Sequence, residues 1–161
     1  MNNTGIKIRR AVITDLREIV GLLADDFLGK QREDLSDPLN ENYVMAFREI
    51  ESDQNNELIV AELDGAVIGT LQLTFTPSLS YRGSKRCTVE SVRVDDKLRG
   101  KGIGREMMLW AIKRAKEKGC VSMQLTSHGD RTDAHRFYEN LGFAKSHVGM
   151  KLNLRWTLIA R

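Results

Sequence analysis

The sequence predicts an α/β fold: a mixed, largely antiparallel central sheet of six to seven strands, flanked by helices on both faces. Three observations carry that expectation. Short β-branched or alternating runs recur along the chain, between stretches whose apolar residues keep helical spacing. Two of those runs, Leu58 to Leu63 and Ala66 to Phe75, are joined by Asp64-Gly65, a strong hairpin signal. A later run ending at Val94 passes through a cluster of glycines straight into a long helix with a wide apolar face.

The elements follow in order. Ile6 to Ala11 reads as a first strand, with Ile6 and Ile8 alternating against Lys7 and Arg9. Thr14-Asp15 caps a helix on Leu16, Ile19, Val20, Leu23 and Phe27, and Gly29 stops it. Lys30 to Asn40 is a polar connection containing Asp37-Pro38, and a second helix runs from Leu39 to Glu51 on Tyr43, Ala46, Phe47 and Ile50. After the hairpin, Pro77 ends its second strand, Ser78 to Lys85 is a loop, and Arg86 to Val94 is the central strand. The helix after the glycines continues to Lys118 and ends at Gly119. Its apolar residues make two stripes, Ile103, Met107, Trp110 and Ala111 beside Met108, Ile112 and Ala115. Cys120 to Thr126 is the next strand, Asp130 to Asn140 a short helix stopped by Gly142, and Phe143 to Lys145 and His147 to Leu152 a closing pair of strands. Residues 1–161 read as one domain, with 153–161 a further strand or an appended tail.

Composition narrows the function classes. A chain of 161 residues with 41% hydrophobic and 29% charged residues is ordinary for a soluble globular protein. No run approaches the length of a membrane span and the N-terminus lacks a secretory apolar region, so a cytoplasmic protein with no membrane partner is expected. Aromatics are only 6% and the net charge is +3, which argues against nucleic acid as a partner. Cys87 and Cys120 lack metal-ligand spacing and read as buried thiols, with a catalytic cysteine the lesser alternative. His128 reads as a loop residue, His135 as exposed and His147 as a strand start; no pair has ligand spacing, so no metal is predicted.

The chemistry gathers at Arg99-Gly100-Lys101-Gly102-Ile103-Gly104. A strand, a glycine-rich turn and a helix start present backbone N–H groups at the positive end of a helix dipole, an arrangement that binds anions and most often phosphate. A nucleotide P-loop needs Ser or Thr after its lysine, but Gly102 follows Lys101. A dinucleotide fingerprint needs a third glycine where Arg105 or Met107 stands. What remains is R-x-x-G-x-G on Arg99, Gly102 and Gly104, which resembles the pyrophosphate motif of the GNAT superfamily of acetyl-CoA-dependent N-acetyltransferases. A second stretch, Ala134-His135-Arg136-Phe137-Tyr138-Glu139-Asn140-Leu141-Gly142-Phe143, resembles the same superfamily's A-x-x-F-Y-x-x-L-G-F segment, in the expected order and at the expected separation.

The resemblance implies acetyl transfer from acetyl-CoA, as cosubstrate, to a primary amine, with a small molecule as the acceptor partner. Backbone amides from Arg99 through Gly100, Lys101, Gly102, Ile103, Gly104 and Arg105 would hold the pyrophosphate. Val92, Arg93 and Val94 would pair through their main chain with the pantetheine arm, and an amide near Val92 would face the thioester oxygen. Tyr138 is the expected general acid for the leaving thiolate. It lies on one helical face with Ala134, Phe137 and Leu141, and its hydroxyl needs a partner when buried. Glu90 is the candidate general base, on alternation sharing a strand face with Val92 and Val94; Thr88 stands at another position that family members use, and Glu90 as a half-exposed partner of a nearby arginine is the equal alternative. The first two helices and their connection would wall the acceptor pocket. Asp25, Asp26, Glu33, Asp34, Asp37 and Glu41 there either draw in a cation or are solvated helix ends. Two rival readings stay open: a protein lysine or N-terminal acetyltransferase, and a non-catalytic acyl-CoA-binding regulatory domain. A homodimer is compatible with either.

Overall fold

A computed structural model of the chain describes residues 5–25, 29–30 and 32–154. They fall into two compact units, with the boundary after Leu125. In chain order the first unit contains β1 (Lys7–Arg10), α1 (Leu16–Ala24), α2 (Glu41–Ser52), β2 (Asn56–Leu63), β3 (Ala66–Pro77), β4 (Lys85–Val94), α3 (Ile103–Glu117) and β5 (Cys120–Leu125). The strands make one sheet in the order β1-β2-β3-β4-β5. Neighbours are antiparallel from β1 to β4, and β5 is parallel to β4 because α3 carries the chain back across the sheet between them. Asp64 and Gly65, at φ 50° and 82°, make the expected tight turn between β2 and β3.

Directly opposed residues in a sheet share a face, so the register sorts the side chains. Ile59 opposes Leu71, Leu73 opposes Val89 and Phe75 opposes Cys87; all six are buried on one face. Gly69 belongs to the same set. A Cβ built there would lie 2.7 Å from the Met107 sulfur and 3.0 Å from the Arg93 carbonyl oxygen. Met107, Met108, Ala111 and Ala115 of α3 are buried, and only glycine at 69 lets the helix come this close. On the opposite face Leu58 opposes Gln72 and Val60 opposes Thr70. That side packs against α1 and α2 through Leu16, Val20 and Phe47, with Tyr43, Val44 and Leu58 around them. Asn40 caps α2 by accepting the Asn42 amide at 3.0 Å. Phe27, expected on the first helix, lies outside the described residues.

A buried charge in this unit serves as a tie. The Glu57 side chain on β2 is fully buried. It accepts hydrogen bonds from Arg114 on α3 (2.7 and 2.9 Å) and from Arg10 on β1 (2.6 Å), and Lys118 stands at 3.4 Å. Burial pushes its carboxyl pKa up, but the bonds from Arg114 and Arg10 outweigh that and bring it down to about 2. Arg9 makes a second tie, donating twice to Asp15 (2.7 and 3.0 Å) and once to Glu62 (2.7 Å). Asp15 also accepts the Val12 amide at 2.8 Å, which fixes the turn into α1.

The second unit holds α4 (Thr132–Glu139). The Gly142 amide donates to the Glu139 carbonyl and the Phe143 amide to that of Tyr138, closing the helix where the glycine predicts. The Tyr138 ring meets Phe137 at 5.1 Å and Phe143 at 5.9 Å, both edge to face.

The sheet has five strands among the described residues, against the six to seven expected. The two missing are the closing pair at 143–145 and 147–152. Phe143 is drawn into the end of α4, and a Ser146 amide bond to the Ala144 carbonyl (2.9 Å) turns the chain at this point. Val148, Met150 and Leu152 do alternate, but they are 90%, 93% and 73% exposed. Alternation says which side chains would share a face; a strand also needs a neighbour for its N–H and C=O groups. Residues 155–161, read as a strand or tail, lie outside the described residues.

The Glu57 tie predicts an acid limb in stability. A carboxyl whose ordinary value of 4.5 is lowered to about 2 on folding stabilises the native state above pH 4.5, by about 3 kcal/mol, and that share is lost as pH falls toward 2. Urea unfolding followed from pH 6 to pH 2.5 (roughly the span the linkage requires) should show this loss, and Glu57→Gln should flatten it. The variant should also be about 3–5 kcal/mol less stable at neutral pH, since three cations lose their shared anion. An unchanged acid limb in Glu57→Gln would rule the tie out as its source.

Candidate functional site

β4 has two different edges. Along β3 it is paired from Lys85 to Val94, whereas β5 accompanies it only as far as Val89, which stands opposite Leu125. From Glu90 onward no strand lies on that side among the described residues. The stretch thus left with an open edge is also irregular. Gln72 opposes Glu90 and Thr70 opposes Arg93, so Ser91 and Val92 stand where β3 has Leu71 alone. Ser91 sits at φ 54°, a left-handed conformation uncommon outside glycine.

This bulge corrects an expectation. Strict alternation puts Glu90 on the face of Val92 and Val94. With the inserted residue, Glu90 and Arg93 share the face of Gln72 and Thr70, toward α1 and α2, while Val94 opposes Gly69 on the α3 face. Glu90 is exposed. Arg93 is half-buried and its guanidinium donates to the Val92 carbonyl at 2.8 Å. Thr88, on the same face, accepts from Gln124 of β5 at 3.2 Å.

Beyond Val94 the chain turns on Asp95, whose carboxylate accepts the Lys97 amide (2.9 Å) and whose carbonyl accepts that of Leu98 (2.9 Å). Arg99 pairs with Asp96. Gly100 and Gly102 follow at φ 77° and 85°. Gly102 is the residue before α3, and the first helical bond runs from the Glu106 amide to its carbonyl (3.0 Å). The amides of Ile103, Gly104 and Arg105 precede that bond and by helix geometry have no intrahelical acceptor. No described atom lies within 4 Å of a Cβ built at Gly100 or Gly102. The glycines thus answer the positive φ and leave the amides approachable. Lys101 and Arg105 are exposed beside them. A cradle of amides at a helix start with two exposed cations fits a pyrophosphate, and the open edge of β4 fits an extended amide-bearing arm.

On the other face a cleft of about 120 Å³ lies between α1, α2 and the sheet, reaching Thr70, Gln72 and Ser91. The connection before α2 is tied to it through Tyr43. Its hydroxyl donates to Glu33 (2.9 Å) and accepts the Asp34 amide (2.9 Å). Burial and the neighbouring Glu33 carboxylate raise the phenol pKa, partly offset by the Asp34 amide. Of the acidic run, Asp34 also accepts the Ser36 amide, and Asp37 pairs with Arg17 at 3.5 Å. These residues organise the connection as well as charging it. Asp26 lies outside the described residues.

Tyr138 lies in the second unit, half-buried between Phe137 and Phe143. His128 and His147 are exposed, and His135 is half-buried with its Nε2 2.9 Å from the His128 carbonyl. No group of three or more His, Cys, Asp or Glu suited to a metal gathers among the described residues. Burial pushes the Cys87 thiol up to about 12 and raises that of Cys120. Neither is an available thiolate at neutral pH; Cys87 is buried as expected, whereas Cys120 is half-buried. Sequence reasoning missed Ser91, Thr70 and Gln72, and no signal would have found them, since a bulge has no residue signature of its own.

The geometry agrees with what the chain resembles elsewhere. The model of the acetyltransferase (GNAT) family matches residues 17–143. An aminoalkylphosphonate N-acetyltransferase from Salmonella typhimurium is 30% identical over 95 residues, 59% of this chain and 61% of that protein. A glucosamine 6-phosphate N-acetyltransferase from Trypanosoma brucei brucei is 30% identical over 90 residues, 56% of this chain and 59% of that one. The match thus spans about three fifths of each relative's length. A crystal structure described as a transcriptional regulator from Bacillus halodurans C-125 is 52% identical, with a TM-score of 0.90 over 92% of this chain and 99% of that one. With a family match over most of its length, on the elements that carry the glycine turn and the open edge of β4, this chain belongs to the acetyltransferase (GNAT) family.

Proposed function

We propose that this protein transfers the acetyl group of acetyl-CoA to the primary amine of a small molecule, by direct attack with both substrates bound. The observation that carries the proposal is the conjunction on β4 of an open edge, a bulge and a glycine turn into α3. The names of the two relatives, both N-acetyltransferases of small amines, support the same class of acceptor.

Each group then has a task. The amides from Arg99 to Arg105 hold the pyrophosphate, together giving more than the ~0.3–2 kcal/mol of any one contact at a helix start. Val92, Arg93 and Val94 offer main-chain groups to the pantetheine arm along the edge that β5 leaves open. An amide at the bulge, near Val92, is placed to stabilise charge developing on the thioester oxygen. The amine must attack in its neutral form; for a lysine-like amine of pKa ~10.4 that costs roughly 4–5 kcal/mol at pH 7. Glu90, exposed on the face of the α1–α2 cleft, takes that proton directly or through water. The nitrogen lone pair forms the C–N bond, the C–S bond breaks, the thiolate leaves with a proton from Tyr138, and the proton the nitrogen still carries in excess returns to the Tyr138 phenolate through solvent. The motif around Tyr138 and its half-buried position support that role.

A second reading has one observation behind it: the Bacillus halodurans structure is described as a transcriptional regulator. On that reading the chain binds acyl-CoA as a signal and does not turn it over. Release of free CoA thiol from acetyl-CoA in a screen of small amines decides between the two.

Gly102→Val places a β-branched residue at φ 85°, where the strain is about 1–2 kcal/mol, and crowds the amides. It should stay folded by circular dichroism and lose CoA affinity at least ~10-fold, the equivalent of about 1.4 kcal/mol. Unchanged affinity by calorimetry would overturn the loop assignment.

Tyr138→Phe keeps the ring and removes the proton, so kcat and kcat/KM should fall together by ~10²–10⁴-fold with CoA affinity unchanged. Wild-type turnover, with chemistry shown to be rate-limiting, would make Tyr138 a packing residue. In Glu90→Gln the rise of kcat/KM with pH should lose one apparent pKa; an unaltered profile would assign deprotonation to another route.

A further inference from the structure

We infer that the acceptor is a primary amine with a short apolar tail, and that the cleft between α1, α2 and the sheet holds that tail. This rests on the reading of that face as the acceptor side. The cleft of about 120 Å³ is lined chiefly by Ile19, Val20, Tyr43, Phe47, Ile50 and Leu58. A cleft of this size, lined by apolar side chains, suits a short carbon chain.

Three of the polar groups that line it, Thr70, Gln72 and Tyr43, already have partners. Thr70 donates to the Ile59 carbonyl at 3.0 Å, and Gln72 donates to the Asn56 side chain at 3.2 Å. The Tyr43 hydroxyl both donates to Glu33 and accepts from Asp34. A sugar or other polyhydroxylated acceptor would bring more hydroxyls than this mostly apolar lining can hydrogen-bond, which is costly.

Charge points the same way. No lysine or arginine is among the described residues that line the cleft. Arg93, on this face of the sheet, donates to the Val92 carbonyl, and Arg17 of α1 pairs with Asp37. A phosphate or phosphonate on the acceptor would find no cation among the described residues that line the cleft. An ammonium head is better matched. Glu90 stands opposite Gln72, which lines the cleft, and next to Ser91, the lining residue at the bulge; Glu33 is bonded to Tyr43. An amine directed at the bulge with its carbon tail between the helices satisfies both halves of the site.

The test is a series of primary amines of increasing chain length, ethylamine, butylamine and hexylamine, with benzylamine and 2-aminoethylphosphonate, assayed on the full chain by release of CoA thiol. Each added methylene should raise kcat/KM roughly threefold to fourfold until the cleft is filled, near butylamine. The phosphonate should be at least ~10-fold poorer than butylamine, the discrimination expected for an anion without a partner. Ala46 lines the cleft from an exposed position on α2, so Ala46→Leu should fold normally, with a melting temperature close to wild type. It should cut the butylamine-to-ethylamine ratio several-fold by filling the space.

A flat dependence on tail length, a preference for the phosphonate, or an unchanged ratio in Ala46→Leu would each overturn the inference and leave acetyl transfer standing. If acetyl-CoA binds but no amine at all releases thiol, the acetyl-transfer reading fails, and the inference with it.

Discussion

The organisation of this protein depends on β4 having two unequal neighbours. It is held by β3 along its length and by β5 only to Val89. A parallel neighbour reached through a helix need not match the length of the strand it joins, whereas a hairpin neighbour is tied to it by the turn. The result is a strand whose second half is anchored on one side and open on the other. The bulge at Ser91 falls in that half, where twisting the backbone breaks only one ladder. The groups proposed to hold the cosubstrate and to take the amine's proton lie on or beside those few residues, with α3 beginning just beyond them.

Such an open strand must be held firmly from behind. Gly69 brings Met107 and α3 against the sheet next to the bulge, and Glu57 grips the far end of the helix through Arg114. The carboxylate is costly to bury and is tolerated because three cations surround it. It joins β1, β2 and α3 at one point. The glycine turn at the start of α3 is thereby set relative to β4 by packing at one end and charge at the other.

On the proposed reading the two substrates are met by different kinds of protein surface. The cosubstrate side is built of backbone: amides in a glycine turn and the edge of a strand. Backbone groups are the same whatever side chain they carry, and what must be specified is only that side chains stay out of the way, hence the glycines in the readable pattern of Arg99, Gly102 and Gly104. The acceptor side is built of side chains from α1, α2, β2, β3 and β4. Its character is the product of several elements meeting, and no short motif encodes it.

That difference separates what the sequence determined from what folding decided. The α/β class, the elements of the first unit within a few residues, the Asp64-Gly65 hairpin, the glycine turn and the end of α4 at Gly142 were all legible, because each rests on local periodicity or on a residue with a special backbone preference. The face of Glu90 was not, since one inserted residue at Ser91 reverses every alternation after it. Nor was the role of Glu57, which stands just before the run from Leu58 to Leu63 and gains its partners only when Arg10 and Arg114, distant in sequence, converge on it. The closing strands were misread for a related reason. Residues 147–152 carry the alternation of a strand, but a strand exists only where another chain segment offers its hydrogen bonds, and only the tertiary structure decides where that happens.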